Sequence, residues 1–440
     1  MRTDHRGLCL SGADRPAVER FETALSMLLC GHGDPVAECA GALAASPDFA
    51  MAHALAAYLQ LCGSEASGAE RAAQILPELR RTARTGRERL HAAAVAAYGA
   101  GDFEAASERL DDILIEYPRD LLALHQGHLL DFYRGDQRNL RDRVARVRHA
   151  WSPALPGHHA VLAMHAFGLE ECGDYAQAED LGRDALAIEP RDGWAHHAVA
   201  HVMEMQGRRR EGIEWMRDRE AHWAPDNAVA VHNWWHLALF LLDGDRTLEV
   251  LALYDRRIAG VGSAVLDLVD ASALLWRLTL RDIDVGPRWQ RLAERWAPFL
   301  CDGWYAFNDV HAMMAFAGAG RWELAEQLLA TMQRRLERGG SNQAMTRDVG
   351  LPLARALWNF GRRDFGGAVT LLRPLRSVAQ RFGGSHAQRD LVDLTLLEAA
   401  RRDGQAALLR ALAHERLSVK PESPQARRYL DAAADLRGAA

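Results

Sequence analysis

The sequence has no long apolar run and only a small excess of one charge. No apolar stretch among the 440 residues reaches the length that spans a bilayer, so we expect no membrane partner. The formal net charge of −6 argues against nucleic acid as a partner, because binding to phosphates calls for a basic surface. The N-terminal stretch lacks the continuous apolar core of a secretory signal, so we expect none.

Cysteines are few and never occur as a C-x-x-C pair. A scattered set of six suits free thiols in a reducing compartment better than a disulfide framework or a thiolate zinc site. We therefore expect a cytoplasmic protein. The six positions are Cys9, Cys30, Cys39, Cys62, Cys172 and Cys301.

Motifs for phosphate binding and for serine nucleophiles are also missing. No glycine-rich loop of the Walker or dinucleotide type occurs, and "GAGR" at 318–321 has the pattern of a helix-ending turn. No G-x-S-x-G nucleophile elbow is present, and serines are few. Any chemistry would therefore depend on His, Asp and Glu, in acid–base or metal-assisted catalysis.

Two stretches of the sequence repeat each other. "GDFEAASERLDDILIEYP" starts at Gly101 and "GDYAQAEDLGRDALAIEP" starts at Gly173. Both have an aromatic residue, a small alanine and a final proline at the same distances from the glycine, as in the second helix of a tetratricopeptide repeat. The alanine allows close helix packing, and the proline ends the helix. The matching pairs are Phe103 and Tyr175, Ala106 and Ala178, and Pro118 and Pro190.

Weaker copies of the repeat begin at Gly207, Gly244 and Gly320 and near Arg363. Val, Ile and Thr are sparse while Ala, Leu, Arg and Glu dominate, which favours helix. We predict an all-α fold, a right-handed superhelix (α-solenoid) of tetratricopeptide-like helix pairs. The predicted organisation is a flexible arm at 1–14, then one repeat domain at 15–440 that is most regular at 86–330.

Nearly the whole chain resembles a known family, and the motifs from Trp194 to Arg321 are the specific part of the resemblance. The stretches "DGWAHHAVAHVMEMQGRRREGIEWM", "VHNWWHLALFLLDGD", "LYDRRI", "DASALLWRL" and "FNDVHAMMAFAGAGR" are similar to the tetratricopeptide repeat protein 38 family. The resemblance implies an all-helical repeat fold over nearly the whole chain. It supplies no reaction and no catalytic residues, although tetratricopeptide arrays often bind peptides.

Two His-x-x-x-His pairs stand out within this region. His197 and His201 form the first pair, and His232 and His236 form the second, at nearly equivalent positions before their turn glycines. Residues four apart share a helix face, and packed helices lie roughly 8–10 Å apart, so four imidazoles could meet. Glu204 lies on the same stripe as the first pair. Imidazole and carboxylate suit Zn, Mn, Fe or Ni, so these four histidines are the candidate ligands of a divalent transition metal.

A structural interpretation of the histidines competes with this one. The zinc-peptidase motif needs Glu directly after the first His, where this chain has Ala198 and Asn233. This chain therefore lacks that motif. In the structural interpretation, the imidazoles are buried polar residues that are hydrogen-bonded to backbone or to Asp.

Other polar residues on the same first helices are candidates for one pocket. The adjacent Trp234 and Trp235 point in different directions, so at most one of them faces the groove. The candidate catalytic residues are His197, His201, His232, His236, Asp270, Asp309 and His311, and the candidate substrate-binding residues are His165, Glu204, Trp235, Arg277 and Asn308.

Some of these residues have plain structural alternatives. Asp270 and Arg277 are expected to form a structural ion pair, and the alternative is that Arg277 binds a carboxylate with Asp270 orienting it. Asp309 and His311 are two apart and diverge on a helix, so only one joins a site, and Asp309 could orient a neighbouring imidazole.

Two functions remain open from the sequence. The first is a His/Asp/Glu/Trp-lined pocket for a small molecule on the concave face, in a metal-assisted or acid–base enzyme. The alternative is a scaffold that binds a peptide in the concave groove. Lysine, which such peptide grooves often display, is almost absent here, and this favours the pocket. A homodimer is plausible because the apolar ends of repeat arrays invite association.

Overall fold

The computed structural model describes residues 2–259 and 264–438, and helices make up most of them. The chain divides into two compact units, which we describe separately. The first unit comprises Met1–Val202 and Asp218–Asn233, and the second comprises Met203–Arg217 and Trp234–Ala440.

The first unit starts with a short strand pair and continues as helices. Its described elements are β1 (Arg2–Thr3), β2 (Cys9–Leu10), α1 (Arg15–Cys30), α2 (Pro35–Ala45), α3 (Ala50–Leu61), α4 (Ala66–Thr82), α5 (Gly86–Gly99), α6 (Phe103–Glu116), α7 (Leu121–Arg134), α8 (Gln137–Val147), α9 (His158–Glu171) and α10 (Tyr175–Ile188). Helix α11 (Gly193–Met205) and helix α14 (Ala230–Asp243) begin in the first unit and end in the second, whereas α12 (Arg209–Asp218) lies almost wholly in the second and α13 (Glu220–Trp223) in the first.

The regular elements of the second unit, within its described residues, are all helices. Its further elements are α15 (Thr247–Leu253), α16 (Val265–Thr279), α17 (Arg288–Trp296), α18 (Ala306–Gly318), α19 (Trp322–Arg335), α20 (Ser341–Met345), α21 (Leu351–Gly361), α22 (Phe365–Leu375), α23 (His386–Arg402), α24 (Ala406–Val419) and α25 (Pro424–Gly438). One π-helical turn at Tyr254–Ile258 follows α15, and another at Thr346–Gly350 precedes α21.

The repeat that starts at Gly101 folds as its sequence predicts. Gly101 has a φ of 79°, the left-handed conformation that ends the preceding helix. Asp102 then caps α6, because its carboxylate accepts a hydrogen bond from the amide of Ala105 (2.9 Å). Phe103 packs edge-on against Tyr98 of α5, and Ala106 is fully buried. The all-α fold of tetratricopeptide-like helix pairs, an α-solenoid, is confirmed.

Residues 2–14, which the sequence led us to expect as a flexible arm, are packed against the helices. β1 and β2 pair antiparallel, and the buried Arg6 bonds to Glu22 of α1 at 2.8 and 2.9 Å. The boundary at residue 14 and the single repeat domain stay predictions.

Tryptophan side chains fill much of the core of the second unit. The indole of Trp276 donates to the hydroxyl of Thr395 (3.0 Å), and that of Trp296 donates to Ser272 (2.9 Å). Both rings are buried, so these tryptophans pack in the interior of the unit. Within the described residues, no helix combines the length and the apolar character needed to cross a membrane. All six cysteines are free.

Candidate functional site

Three of the four paired histidines meet in the first unit. His197 and His201 lie one turn apart on α11, with ring centroids 4.4 Å apart. His232 of α14 lies across from them, and its Nε2 is 3.1 Å from the Nε2 of His197. At that distance one ring nitrogen donates a hydrogen bond and the other accepts it. Each of the three residues offers a ring nitrogen within 4.8 Å of the other two.

Two carboxylates of α9 extend this cluster. The Nδ1 of His201 lies 3.4 Å from a carboxylate oxygen of Glu170, and both side chains are fully buried. Glu170, Glu171 and His201 each offer a ligand atom within 4.8 Å of the others. Glu171 also accepts a hydrogen bond from the amide of Gln137 (3.2 Å). His201 therefore joins the imidazole group to an acidic group, and we call these five residues (Glu170, Glu171, His197, His201 and His232) the imidazole–carboxylate cluster.

Aromatic rings surround the cluster. The ring of Phe167 lies 5.2 Å from that of His197 and 5.3 Å from that of His201, measured between centroids. Trp194 packs edge-on against His197 at 5.7 Å. Phe167 also belongs to an apolar core that includes Ala198. The cluster is thus set against apolar side chains, where charge–charge interactions are stronger than in water.

His236 belongs to the second unit, and there it pairs with Glu204. Its Nδ1 lies 3.0 Å from a carboxylate oxygen of Glu204, and both residues are buried. This contact is equivalent to the one between Glu170 and His201. In both cases the carboxylate lies three residues before a turn glycine and contacts an imidazole on the first helix of the following repeat. The prediction that His236 joins the other three histidines stays a prediction.

His165, a predicted substrate-binding residue on α9, has a different partner. Its Nδ1 accepts a hydrogen bond from the guanidinium of Arg148 (3.1 Å). Burial, together with the nearby positive charge of Arg148, lowers the pKa of His165 to about 4. His165 is therefore neutral at pH 7, with its proton on Nε2.

Asp270 and Arg277 do not form the expected ion pair. Both are buried on α16, and the guanidinium of Arg277 instead donates to the carbonyl of Ala387 and stacks on Trp235, 5.6 Å from its ring centroid. Residues seven apart on a helix lie two turns from each other along the axis, so the side chains diverge when neighbouring helices offer contacts.

Asn308, Asp309 and His311 lie buried on α18. Burial raises the pKa of Asp309 to about 7, with Asp302 adding to the rise. The Nδ1 of His311 donates to the carbonyl of Phe307 (2.8 Å), and burial lowers the pKa of this imidazole to about 4. Among the described residues, no imidazole bonds to the carboxylate of Asp309, so it does not orient a neighbouring histidine.

Sequence reasoning undervalued the two glutamates of the cluster. Glu170 and Glu171 were not among the candidate site residues, yet both are buried. The sequence did contain a signal for Glu170. It lies three residues before Gly173, just as the candidate Glu204 lies three residues before Gly207, and this equivalence makes Glu170 a candidate too.

Comparison with known proteins assigns no family to this chain. No family model matches the chain. The human IFIT1 dimer with PPP-AAAA is similar, at 13% identity over 97% of this chain and 95% of that one, with a TM-score of 0.44. The same dimer with m7Gppp-AAAA shares 13% identity over 97% of this chain and 96% of that one, with a TM-score of 0.41. Naa15/Naa10 bound to HypK-THB shares 11% identity over 90% of this chain and 62% of that one, with a TM-score of 0.28.

These similarities correct one sequence prediction. We excluded nucleic acid as a partner because the chain is slightly acidic. That exclusion is wrong, since the similar IFIT1 chains are solved with PPP-AAAA and m7Gppp-AAAA. The net charge of a whole chain averages over its surface and does not describe the lining of one local site.

Proposed function

We propose that the imidazole–carboxylate cluster binds a divalent transition metal and that the protein uses it in acid–base or metal-assisted chemistry on a small molecule. The observation that carries the proposal is the approach of His197, His201 and His232, with ring nitrogens within 4.8 Å of one another. Imidazole nitrogen and carboxylate oxygen are the donors that zinc and its neighbours accept in proteins.

The spacing of the donors supports a shared ion. Nitrogen atoms that bind one tetrahedral zinc at about 2.0–2.1 Å lie roughly 3.3 Å from each other. The two Nε2 atoms of His197 and His232 are 3.1 Å apart. A metal between them needs only small shifts of the rings, and His201 lies close enough to add a third nitrogen.

The burial of the cluster also supports it. Ionisable groups taken out of water cost several kcal/mol each unless other charges compensate. Glu170 and His201 are fully buried, and His197 and Glu171 are 3% exposed. A dication would offset the charge of the two carboxylates. The neutral imidazoles that metal binding requires are also the forms that burial favours.

Metal content tests the proposal directly. We would purify the chain without an affinity tag, add zinc, remove the excess and measure bound metal by elemental analysis. We expect close to one equivalent per chain in the parent. His201→Gln and His197→Gln should each lose most of it while keeping the helical circular dichroism signal.

The matched control is His196→Gln. This buried histidine lies on the same helix, but its Nε2 donates to the carbonyl of Pro190 (2.9 Å). It should keep the metal. A parent without zinc, or a His201→Gln variant that binds as much as the parent, would show that the cluster is structural.

Two finer predictions go with this proposal. Membership of the tetratricopeptide repeat protein 38 family rests on the quoted motifs, and a cytoplasmic location rests on the free thiols. Peptide binding in a concave groove stays the alternative. We prefer the metal site because it rests on identified nitrogen and oxygen donors. Peptide binding rests only on the repeat fold, and a fold alone does not identify a ligand.

A further inference from the structure

A polar cavity lies inside the second unit, apart from the imidazole–carboxylate cluster. It has room for one or two water-sized groups. Four cationic side chains and three carboxylates line it, together with Gln425 and leucines. The charged residues are Arg277, Arg281, Arg416 and Lys420, and Glu204, Asp243 and Asp390.

Each carboxylate of this cavity already has a close partner. Asp390 accepts two hydrogen bonds from Arg416, at 2.6 and 2.9 Å. Asp243 accepts one from Arg281 at 2.8 Å. Glu204 contacts the ring of His236 at 3.0 Å. None of the three is within 4.0 Å of the guanidinium of Arg277.

Arg277 is a buried cation of this cavity that has no ion pair among the described residues. It is 4% exposed, and among the described residues its one hydrogen bond goes to the carbonyl of Ala387. Its Nε–H has no acceptor in the described part of the chain. The ring of Trp235 lies against the guanidinium at 5.6 Å and holds its plane. A buried guanidinium with unused donors is costly, and an anion that accepts them removes the cost.

We propose that this cavity binds the carboxylate group of a small organic acid, with Arg277 as its recognition residue. A carboxylate fits because its two oxygens match the planar fork of a guanidinium. The small volume admits a head group of that size and excludes bulkier anions such as phosphate esters.

The electrostatics agree with this assignment. Burial lowers the pKa of Arg277, and the nearby Asp390 and Glu204 only partly oppose the effect. An anion in the cavity would stabilise the charged guanidinium.

Acetate is the probe for the test. We would measure Tm of the full chain while sodium acetate replaces sodium chloride at constant ionic strength, and follow the line width of 13C-labelled acetate by NMR. Binding should raise Tm by about 1–2 °C once acetate is in tenfold excess over its Kd. It should also broaden the acetate signal.

Variants of Arg277 separate specific binding from a general salt effect. Arg277→Met should fold, because it replaces a buried unpaired charge by an apolar chain, and should lose both responses. Arg277→Lys keeps the charge without the fork and should respond more weakly. Arg381→Met, at an exposed site that contacts Asp348 at 3.4 Å, should respond like the parent. An unchanged response in Arg277→Met would overturn the proposal, as would a parent that does not respond.

A second comparison tests whether the carboxylate belongs to a peptide C-terminus or to a free small acid. N-acetyl-trialanine with a free C-terminus can be compared with acetate and with its own C-terminal amide. A stronger response to the tripeptide acid than to acetate assigns the site to a chain terminus, and an equal or weaker one assigns it to a free small acid. A response to the amide equal to that of the acid would contradict carboxylate recognition. Loss of the zinc site in the other unit would leave all these results unchanged.

Discussion

Arg143 shows how a single buried charge is held in the first unit. Its guanidinium is fully buried and bonds twice to Asp131, at 2.6 and 3.0 Å. It also donates to the hydroxyl of Ser107 (2.6 Å) and to Asp111 (2.7 Å). Because Asp131 is also fully buried, the two charges depend on each other.

Arg143→Met should lower the free energy of unfolding by about 3–5 kcal/mol, because it removes the two shortest contacts of the buried carboxylate of Asp131. That carboxylate then keeps only the hydroxyl of Ser107 (3.2 Å), the amide of Asn139 (3.1 Å) and Arg134 at 3.7 Å. Urea unfolding of parent and variant measures the difference. Arg138→Met on the same helix is the control: Arg138 is exposed and pairs with Asp142 at 3.2 Å, so its loss should change stability by no more than about 0.5 kcal/mol. Equal losses in the two variants would contradict the interpretation.

The contact between α8 and α9 depends on a residue without a side chain. A Cβ at Gly168 of α9 would lie 2.5 Å from the carbonyl oxygen of Leu140 and 2.7 Å from the Cα of Arg141. Those atoms belong to the backbone of α8, so the two helices would have to separate. The cluster residues Glu170 and Glu171 follow Gly168 on the same helix.

Gly168→Ala should therefore destabilise the protein by about 1–3 kcal/mol through overpacking. Thermal unfolding followed by circular dichroism provides the measurement. At Gly99, the last residue of α5, a Cβ would meet no atom closer than 4.0 Å. Gly99→Ala should be neutral or add about 0.5–1 kcal/mol, since alanine favours helix. A Gly168→Ala variant as stable as the parent would mean that α8 and α9 adjust without cost.

At the scale of the whole molecule, buried neutral histidines make stability depend on pH. Burial lowers the pKa of His125 to about 4 and that of His128 to about 3. The same cause lowers the pKa of His165, His196 and His311 to about 4. The unfolded chain, with imidazole pKa values near 6.5, binds more protons than the folded chain between about pH 6.5 and 4. Stability therefore falls as the pH drops below 6.5.

Asp309 acts in the opposite direction. Its folded pKa is raised to about 7, so the stability it contributes is present at low pH and is lost as the pH rises through 7. Five histidines outweigh this single carboxyl group, so acidification should destabilise the protein overall.

We expect the urea midpoint to fall steadily from pH 7 to pH 5, with each fully buried imidazole costing about 1.4 kcal/mol per pH unit below 6.5. His128→Gln tests one contribution. Its ring Nε2 donates to the carbonyl of Met164 (3.0 Å), and a glutamine amide can replace that donor without titrating. The variant should show a shallower pH dependence than the parent. A midpoint that does not change between pH 7 and pH 5 would rule out this assignment of the histidines.

Local structure in this protein follows from residues that are close together along the chain. The spacing from Gly101 to Pro118 fixes the ends of a helix, because the glycine adopts a positive φ and the proline cannot continue the hydrogen-bond ladder. The four-residue spacing of His197 and His201 likewise places both imidazoles on one face, since an α-helix has 3.6 residues per turn. These features depend on neighbours along the chain, and they hold in the structure.

Which side chains meet depends instead on how the helices pack. The sequence could not tell that Glu170 contacts His201, because their approach depends on how α9 packs against α11. It also suggested an ion pair for Arg277, whereas the packing of α16 places its guanidinium beside Trp235. Contacts between helices depend on crossing angle and on the size of the residues at the interface, down to a single glycine such as Gly168. That information is distributed over the fold and is absent from any one stretch of sequence.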